Sequence, residues 1–397
     1  MARKKKYFAG LSRDTFLLAS ASLFSDISSE MLYPILPVYL TQVLGVGGSV
    51  VGLVEGIAET TQNVVQGFSG SLSDRLQRRK PIALMGYFLA AVSKPLMGLA
   101  GAWPGVLGGR FLDRLGTGVR SAPRDALIAS SVDDANRGRA FGLEGVGDNA
   151  GAFIGPLLAI VLLMVLHLDM RFIFYLAIIP GLFAFLMIVL VREKRTEVET
   201  KSKIDVRLWQ FPKPYWNYLL AAAVFGIGNS SNAFLILQTR AIGASLTVTI
   251  LIYAGFNLVA ALISYPAGFL SDKFGRRNVL LAALGVFLVA YLGFALSRNL
   301  LLITMLFILY GLYQGIFRSV GKALATDYVS AALRASSVGW YNTTVGVSGL
   351  FASLIAGVLW DHVGHASVFL FGSVAAVAGA IALVLLVPKT RQAAARR

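Results

Sequence analysis

The chain contains no cysteine, and its 397 residues include only three histidines, His167, His362 and His365. Disulfides and thiolate metal sites are therefore excluded, and the histidines form no set with carboxylates at metal-ligand spacing. Charged residues make up 14% of the chain, against roughly 25% in soluble domains. No G-x-x-x-x-G-K-[ST] loop is present for binding a nucleotide phosphate. The sequence thus predicts no cofactor, no metal site and no ATP-driven chemistry.

What fills the chain instead is apolar sequence. Hydrophobic residues make up 56% of it, and the mean hydropathy is +0.70. A helix needs about 20 apolar residues to cross a bilayer, and the length leaves room for about twelve such spans. The fold class predicted is an all-α membrane protein. The predicted spans are 14–40, 49–72, 81–101, 105–127, 139–163, 172–191, 214–238, 247–271, 278–297, 301–325, 336–361 and 366–387.

The charge is strongly basic, with a formal net charge of +16 and a pI near 10.1. In a soluble protein this would favour nucleic acid, but here the cations cluster between the apolar runs. The basic clusters are Arg3 to Lys6, Arg75 with Arg78 to Lys80, Arg137 with Arg139, the run from Arg192 to Lys213, Lys273 with Arg276 and Arg277, Arg334, and the tail from Lys389. The remaining loops carry only Arg171, Arg240 and Arg298.

This asymmetry follows the positive-inside rule. It predicts an inner (cytoplasmic) membrane protein that crosses the bilayer an even number of times, with both termini in the cytoplasm. The basic start MARKKKYF resembles a signal peptide. However, Asp26 and Glu30 interrupt the apolar run, and no clean cleavage site follows. We therefore interpret this segment as a retained first helix.

The two halves of the chain repeat one another. GSLSDRLQRRK begins at Gly70 and GFLSDKFGRR begins at Gly268, so Asp272 follows Asp74 by 198 residues. The same separation relates Arg318 to Arg120 and Lys322 to Arg124. Such internal repeats are common in transporters, with a site between the halves. The predicted organisation is a six-helix unit at 1–191, a polar cytoplasmic linker at 192–213, and a second six-helix unit with a basic tail at 214–397.

Each repeated loop combines glycine, aspartate and basic residues where a span leaves the membrane. The glycines permit close helix approach, and each aspartate can pair with a nearby arginine or with the N-terminus of a neighbouring helix. We interpret the loops as charge latches that hold two bundles together and break when they part. The gating residues predicted are Gly70, Asp74, Arg75, Arg78, Gly268, Asp272, Lys273 and Arg276.

These loops resemble the signature of the major facilitator superfamily, in its bacterial type with twelve transmembrane helices. The second loop matches in full, and the first departs from it at Gln77. GRFLDRLGTG, beginning at Gly109, is similar to the family's R-x-x-Q-G-x-G-x-G pattern, with Asp113 in place of Gln and Arg114 in place of Gly. Gly151, Gly155 and Pro156 look like the fifth-span motif of its proton-coupled exporters. The resemblance implies two pseudo-symmetric six-helix bundles around a central cavity, working by alternating access.

Ionisable residues are concentrated within the spans of the first half. A charge inside a span usually lines a cavity or has a partner. The intramembrane cations there include Lys94, Arg110, Arg114, Arg120 and Arg124. The carboxylates predicted to couple protons are Asp26, Glu30, Glu55, Glu59, Asp113, Glu144 and Asp148, and mutual neutralisation in ion pairs is the structural alternative for each. Burial favours the neutral form of a carboxyl group, so it can take up and release a proton as water access alternates.

The spans of the second half carry amides and aromatics, with Arg318 and Lys322 as their main charges. Such side chains suit hydrogen bonding and stacking to an organic solute, although they also serve as interhelical contacts. The predicted substrate-binding residues are Tyr33, Arg114, Asn229, Asn232, Tyr253, Asn257, Tyr310, Gln314, Arg318, Trp340, Tyr341 and Asn342.

The function predicted is proton-coupled secondary transport of a small organic solute, most favourably efflux of the drug/proton antiporter kind. The alternative is proton-coupled import of an anionic metabolite or siderophore, which the intramembrane cations favour. A membrane-embedded enzyme or sensor is a third class, but no nucleophile–base arrangement, cofactor loop or extra domain supports it. The predicted partners are the solute, protons and membrane lipid, without nucleic acid, and the family resemblance implies a monomer and no enzyme activity.

Overall fold

The computed structural model describes residues 10–76, 78–133, 136–193, 211–330 and 333–388. Its regular elements in these ranges are all helical, and they correspond one to one with the predicted spans. The predicted linker at 192–213 lies mostly outside the described residues. The helices are α1 (Arg13–Glu30, then Leu36–Val38 and Tyr39–Val43), α2 (Gly48–Leu76), α3 (Arg79–Leu99), α4 (Trp103–Ser130), α5 (Arg137–Ile160 and Val161–Val165), α6 (Met170–Leu176 and Ile178–Leu190), α7 (Lys213–Gly226 and Ala233–Ala241), α8 (Leu246–Phe274), α9 (Arg276–Leu296), α10 (Leu300–Asp327), α11 (Arg334–His362) and α12 (His365–Leu386).

Several helix starts are capped by short polar side chains, as the orphan N–H groups of a helix N-terminus require. The Ser12 hydroxyl accepts from the Thr15 N–H at the start of α1, and Ser245 does the same for Val248 at the start of α8. Asn299 accepts from two N–H groups at the start of α10. Between α8 and α9, Gly275 has φ of 88°, a conformation that favours glycine and permits the turn.

Helices α1 and α7 are broken at corresponding places, which the sequence analysis did not anticipate. α1 is interrupted after Glu30 and α7 after Gly226. Pro34 and Pro37 lack the N–H that a continuous helix would need around the first break. Gly228 and the polar run Asn229–Asn232 weaken the helix at the second break. Both breaks place polar groups in the middle of the molecule.

Within the described residues, eight helices are long and apolar enough to cross a membrane on those criteria alone. They are α3, α5, α6, α8, α9, α10, α11 and α12. The remaining four are α1 and α7, which are broken, and α2 and α4, which carry several charges. Helices surrounded by lipid cannot carry such groups without partners or water. The four exceptions therefore belong in the interior of the bundle.

Contacts across the middle indicate a pseudo-two-fold relation between the halves. The Tyr33 and Ser231 hydroxyls lie 3.4 Å apart, and Arg240 Nη2 donates to Gln42 Oε1 at 3.4 Å. The members of each pair are 198 residues apart, the same separation as the repeated loops. Symmetry-related residues meet each other on a two-fold axis. Such an axis thus passes close to Tyr33 and Ser231, between the two six-helix bundles.

One of the two seams between the bundles is closed along its length. α2 and α11 run antiparallel in contact, from Gly48 beside Trp360 to Gly67 beside Gly339. At Gly52 a Cβ atom would lie 2.1 Å from the Ser353 carbonyl oxygen, so only glycine permits this approach. The α2–α11 seam therefore joins the first half to the second as a rigid unit in this conformation.

The related seam between α5 and α8 is different. Asn257 Nδ2 lies 3.5 Å from the Ala152 carbonyl oxygen near the middle of the molecule. Further along the same faces, Gly142 and Gly145 on α5 and Gly268 on α8 have open space where a Cβ would stand. We call the end of the molecule that carries Arg79, Arg137, Arg276 and Arg334 the basic end, and the other the opposite end. The α5–α8 seam is open toward the basic end.

Candidate functional site

A pair of stacked tyrosines lies at the centre, one from each half. The rings of Tyr33 and Tyr253 are 5.3 Å apart with an interplanar angle of 11°. The Tyr253 hydroxyl donates to Glu30 Oε2 at 3.0 Å, and Asn257 Nδ2 lies 3.5 Å from the same oxygen. The carboxylate of Glu30 in α1 is thus held by donors from α8 of the other half. The structure brings together four residues that the sequence analysis had predicted separately.

A second carboxylate, Glu59 of α2, occupies a similar place beside the tyrosines. Its Oε1 accepts from the Tyr33 hydroxyl at 3.3 Å and from the Ser231 hydroxyl at 3.4 Å. Glu59 also lines a cavity with about 390 Å³ of empty space, open solvent included. The cavity is lined by Glu59, Asn63, Ala222, Gly226, Asn229, Phe317, Val345, Gly346 and Gly349. In the described part of the chain neither Glu30 nor Glu59 has a cation within ion-pairing distance.

The remaining charges at the centre of the first half form a buried network. Arg110 donates through Nε and Nη2 to the two oxygens of Glu55, at 3.1 and 3.0 Å. Its Nη1 donates to Asp113 Oδ2 at 3.2 Å, and Lys94 Nζ donates to Asp113 Oδ1 at 2.9 Å. The four side chains are 1–2% exposed. Two acids and two bases therefore neutralise one another inside the bundle.

Arg114 lies at the edge of this network. Its Nε is 3.6 Å from Asp113 Oδ2, and Lys94 and Arg110 are closer to Asp113. Arg114 Nη1 donates to Gln62 Oε1 at 2.9 Å. Its Nε and Nη2 atoms have no hydrogen-bond partner in the described structure. The guanidinium of Arg114 is only 12% exposed.

A second charged cluster surrounds Arg124 near the basic end of the first half. Arg124 forms ion pairs with Asp125 at 3.0 Å, Glu144 at 2.8 Å and Asp148 at 3.6 Å. Its Nη1 also donates to the Ser22 hydroxyl, which in turn donates to Glu144 at 3.2 Å. Glu144 and Asp148, both predicted from sequence, lie one turn apart on α5 and thus pair with the same cation.

Arg120 lies one helical turn from Arg124, toward the centre of the molecule. It forms no hydrogen bond or ion pair with Asp26 in the described structure. The Arg120 guanidinium lies over the Tyr87 ring, 4.4 Å from its centroid. Its Nε and Nη1 atoms are buried without a hydrogen-bond partner in the described structure. Arg120 also interacts electrostatically with Asp26, as do Arg124 and Asp148. Asp26 thus lies in the combined field of cations and a second carboxylate.

The polar residues of the second half divide into two groups. The Tyr310 hydroxyl donates to Asn232 Oδ1 at 2.8 Å, beside the break in α7. One and two turns further along α10, Gln314 lies beside Arg318, and with its amide oxygen turned toward the guanidinium it accepts from Nη2 and Nε at 3.1 and 3.2 Å. Asn229 lines the cavity beside Glu59, whereas Tyr310 is buried.

The other group lies apart from the central tyrosines. Tyr341 stacks on Tyr218 at 5.8 Å, and both rings are buried. Asn342 is also buried, and Trp340 packs against the hydrophobic core. The structure therefore does not bring Trp340, Tyr341 and Asn342 together with Tyr33 and Tyr253.

Two end regions hold the halves or their helices together. At the opposite end, both oxygens of Asp361 on α11 accept from the first N–H groups of α2, at Gly48 (2.7 Å) and Ser49 (2.8 Å). A carboxylate at a helix N-terminus is favourable because the helix dipole is positive there. At the basic end, Arg276 pairs with Asp327, donates to the Ala323 carbonyl at 2.8 Å, and lies 3.6 Å from Asp272.

Comparison with known proteins decides the family. The family model described as Major Facilitator Superfamily matches residues 18–239 and 218–397. The chain belongs to this superfamily. An uncharacterized MFS-type transporter, MJ1317 of Methanocaldococcus jannaschii, is 34% identical over 382 residues, covering 95% of each protein. The multidrug resistance protein MdtH of Salmonella newport is 24% identical over 340 residues, covering 83% of this chain and 82% of that protein.

Solved structures agree on the superfamily fold. The nucleoside transporter NupG (D323A mutant) superposes with a TM-score of 0.78 at 14% identity, covering 94% of this chain and all of that one. A D-xylose–proton symporter gives a TM-score of 0.75 at 17% identity, covering 95% and 98%. The predictions of an all-helical membrane transporter with this fold, and of no enzyme, are thereby confirmed.

Among superfamily signatures, the fifth-span motif has a clear structural role. A Cβ on Gly151 would lie 2.6 Å from the Leu23 carbonyl oxygen, and one on Gly155 would lie 2.9 Å from that of Ile27. These glycines let α5 pack directly on α1, and Pro156 follows in the same helix. Of the predicted gating residues, Gly70, Asp74 and Arg75 lie outside the part of the structure whose side chains are described. Arg78, Lys273 and Asp272 are exposed.

Sequence reasoning assigned no role to Lys94, Ser231 or Asp361. Lys94 was visible as an intramembrane cation, but its partner Asp113 lies on another helix. Ser231 is found at the centre because α7 breaks there. The sequence does show that Asp361, in the second half, is an acid at the end of a predicted span. Gly48, at the start of α2, belongs to the first half. Nothing in one sequence, however, shows which helix N-terminus Asp361 faces.

Proposed function

We propose that this protein is a proton-coupled secondary active transporter that exports a small organic solute across the inner membrane by alternating access. The observation that carries the proposal is the environment of Glu30 and Glu59. Both carboxylates lie at the centre, and uncharged donors hold them, with Tyr253, Asn257 and Ser231 coming from the other half. Because neither carboxylate has a cation partner, its protonation leaves no buried cation unpaired.

The coupling follows from where these hydrogen bonds run. The bonds from Tyr253 and Ser231 join the two halves while the opposite end is closed. Hydrogen bonds to an ionised carboxylate are stronger than those to a neutral group. Protonation of Glu30 or Glu59 therefore weakens the contact between the halves and favours opening of the opposite end. Release of the proton restores the closed arrangement.

The other predicted carboxylates receive different proposed roles. Glu55 and Asp113 are each hydrogen-bonded to buried cations, so we propose that they fix the positions of α2, α3 and α4. Glu144 and Asp148 share Arg124, and Asp26 lies in the field of Arg120 and Arg124. These three form a second candidate group for proton exchange, on the path from the centre to the basic end.

Export is supported by the fifth-span glycines and by the similarity to MdtH, which is named a multidrug resistance protein. Import of an anionic solute is the second candidate, and exposed Arg318 and Lys322 favour it. In either direction we propose that the basic end faces the cytoplasm, because cationic loops are retained on that side. The protein is proposed to act as a monomer.

A two-step experiment tests the proposal. A thermal-shift screen of the purified protein against drugs, siderophores, organic acids and sugars at two pH values selects a substrate. Solute-driven proton flux is then measured in proteoliposomes for the wild type, Glu30→Gln and Glu59→Gln, with exposed Asp169→Asn as the control. We expect the two central variants to lose proton flux and the control to keep it. Full pH-dependent transport in both glutamine variants would refute proton coupling at this site.

A further inference from the structure

Two exposed cations line α10 on the second half. Arg318 and Lys322 lie one turn apart, nine and five residues before the helix ends at Asp327. At 1.5 Å per residue, Arg318 is about 14 Å from that end, too deep for an ordinary loop cation. Neither forms an ion pair in the part of the chain that the structure describes. A charge at such a depth needs a partner or water, and the side chains of both residues are exposed.

The repeat supplies an internal comparison for this pair. Arg120 and Arg124 occupy the corresponding positions on α4 of the first half. There the second cation, Arg124, is paired with three carboxylates, those of Asp125, Glu144 and Asp148. The first half thus satisfies its own cation with acids from α4 and α5.

The second half has no acid at any of the corresponding positions. Ala323 follows Lys322 where Asp125 follows Arg124. The repeat separation of 198 residues places the counterparts of Glu144 and Asp148 on α11 at 342 and 346, and neither these positions nor their neighbours 341 and 345 hold an acid. These residues are Tyr341, Asn342, Val345 and Gly346.

The geometry agrees with this comparison. The Tyr218 hydroxyl donates to the Gly321 carbonyl at 2.9 Å, and Tyr341 stacks on Tyr218. This uncharged pair from α7 and α11 lies against α10, as Ser22 of α1 and Glu144 of α5 lie against Arg124 on α4. Within the described residues, the same scaffold therefore presents two cations that have no carboxylate at ion-pairing distance, beside the cavity wall at Phe317.

We propose that Arg318 and Lys322 form a subsite for an anionic group of the transported solute, a carboxylate or a phosphate. The anion takes the place that the Glu144 carboxylate occupies in the first half. Two cations one turn apart suit an anion with two oxygens, because charge-assisted hydrogen bonds to both are then available. The proposal deepens the proposed transport function and rests on it, since it assigns the chemical class of the solute.

Binding to purified protein in neutral detergent tests the subsite without a proton gradient. The probes are benzoate and its neutral counterpart benzamide, compared by saturation-transfer difference NMR. We expect the wild type to bind benzoate and not benzamide. Arg318→Gln and Lys322→Gln should each weaken benzoate binding about tenfold, as loss of one charge-assisted hydrogen bond implies. The matched control Lys213→Gln, an exposed cation on the same half, should bind within about twofold of the wild type.

Two further variants keep the test decisive if a glutamine variant fails to fold. Arg318→Lys keeps the charge and should retain benzoate binding. Ala323→Asp restores an acid beside Lys322 and should abolish it. Equal binding of benzoate and benzamide, no benzoate binding by the wild type, or undiminished binding in Ala323→Asp would overturn the proposal. Because Glu30 and Glu59 are not involved in this assay, failed proton coupling and a failed anion subsite give separable results.

Discussion

At the residue scale, the central charges fall into two kinds that the sequence does not distinguish. Glu55 and Glu59 are one helical turn apart on α2 and have the same side chain. Glu55 accepts two hydrogen bonds from Arg110, whereas Glu59 is held by the hydroxyls of Tyr33 and Ser231. We propose that the first kind stabilises the bundle and that the second takes part in proton exchange. Substitution should therefore affect the two kinds in different ways.

Substitution of Lys94 tests the proposed stabilising role of the buried ion pairs. Lys94→Met leaves Asp113 with Arg110 and the more distant Arg114, and breaking a buried ion pair is destabilising by about 3–5 kcal/mol. We expect a clearly lower midpoint of thermal unfolding in detergent, measured by the loss of monodisperse protein on heating. The paired variant Lys94→Met with Asp113→Leu removes both members and should recover much of the loss. A single variant as stable as the wild type would contradict the assigned role.

Removal of the Tyr253 hydroxyl tests the proposed proton-exchange role of Glu30, a carboxylate held by uncharged donors. Tyr253→Phe keeps the ring that stacks on Tyr33 but deletes the donor to Glu30. We expect folding to be retained, and the pH dependence of solute transport in proteoliposomes to change. Tyr265→Phe, at an exposed tyrosine of the same helix, is the control. An unaltered pH profile in Tyr253→Phe would show that this hydrogen bond takes no part in coupling.

The sequence allowed these residues to be predicted, but not their pairing. Intramembrane charges are visible in one chain because they are unfavourable in lipid. Arg110, the partner of Glu55, and Lys94, which pairs with Asp113, lie on other helices, and the partners of Glu30 lie in the other half. Rotation of each helix about its axis decides these contacts, and packing sets that rotation. For the same reason Ser231, a small hydroxyl in a predicted span, could not be recognised as a ligand of Glu59.

At the element scale, span positions were predictable and their interruptions were not. Hydropathy reports how many apolar residues follow one another, and the predicted limits of α9, 278–297, differ little from Arg276–Leu296. Hydropathy does not report whether the backbone hydrogen bonds of a helix continue along the whole span. α1 and α7 are broken where polar groups from both halves meet, so the breaks depend on the surroundings as well as on Pro34 and Gly228.

The contact between Asp361 and the start of α2 gives a prediction at this scale. Asp361→Asn keeps the shape but removes the charge that the helix dipole and two N–H groups stabilise. We expect the opposite end to open more often. Because the chain has no cysteine, a Ser353→Cys reporter next to Gly52 can be labelled alone, and labelling from the opposite side should become faster. Asp169→Asn at the same end should leave the rate unchanged, and equal rates in both would refute a latch.

At the scale of the whole molecule, the closed α2–α11 seam and the open α5–α8 seam break the two-fold relation between the halves. Each seam carries small residues on its helices: Gly67 contacts Gly339 in the closed seam, and Gly145 on α5 and Gly268 on α8 have open space beside them. Small residues allow two helices to approach closely. We therefore expect the α5–α8 seam to close toward the basic end when the opposite end opens.

Single-cysteine labelling measures this exchange between seams. In the described conformation, Gly145→Cys on α5 should react with a water-soluble maleimide, whereas Ser353→Cys, buried beside Gly52 in the closed seam, should react only slowly. Adding Asp361→Asn shifts the population toward opening of the opposite end, so labelling at Gly145→Cys should slow. An alternating mechanism requires the change at Gly145→Cys and the faster labelling at Ser353→Cys to occur together, because one rigid-body movement produces both. Faster labelling at Ser353→Cys with an unchanged rate at Gly145→Cys would show that the two ends open independently, and the proposed coupling between Glu30 and the seams would then fail.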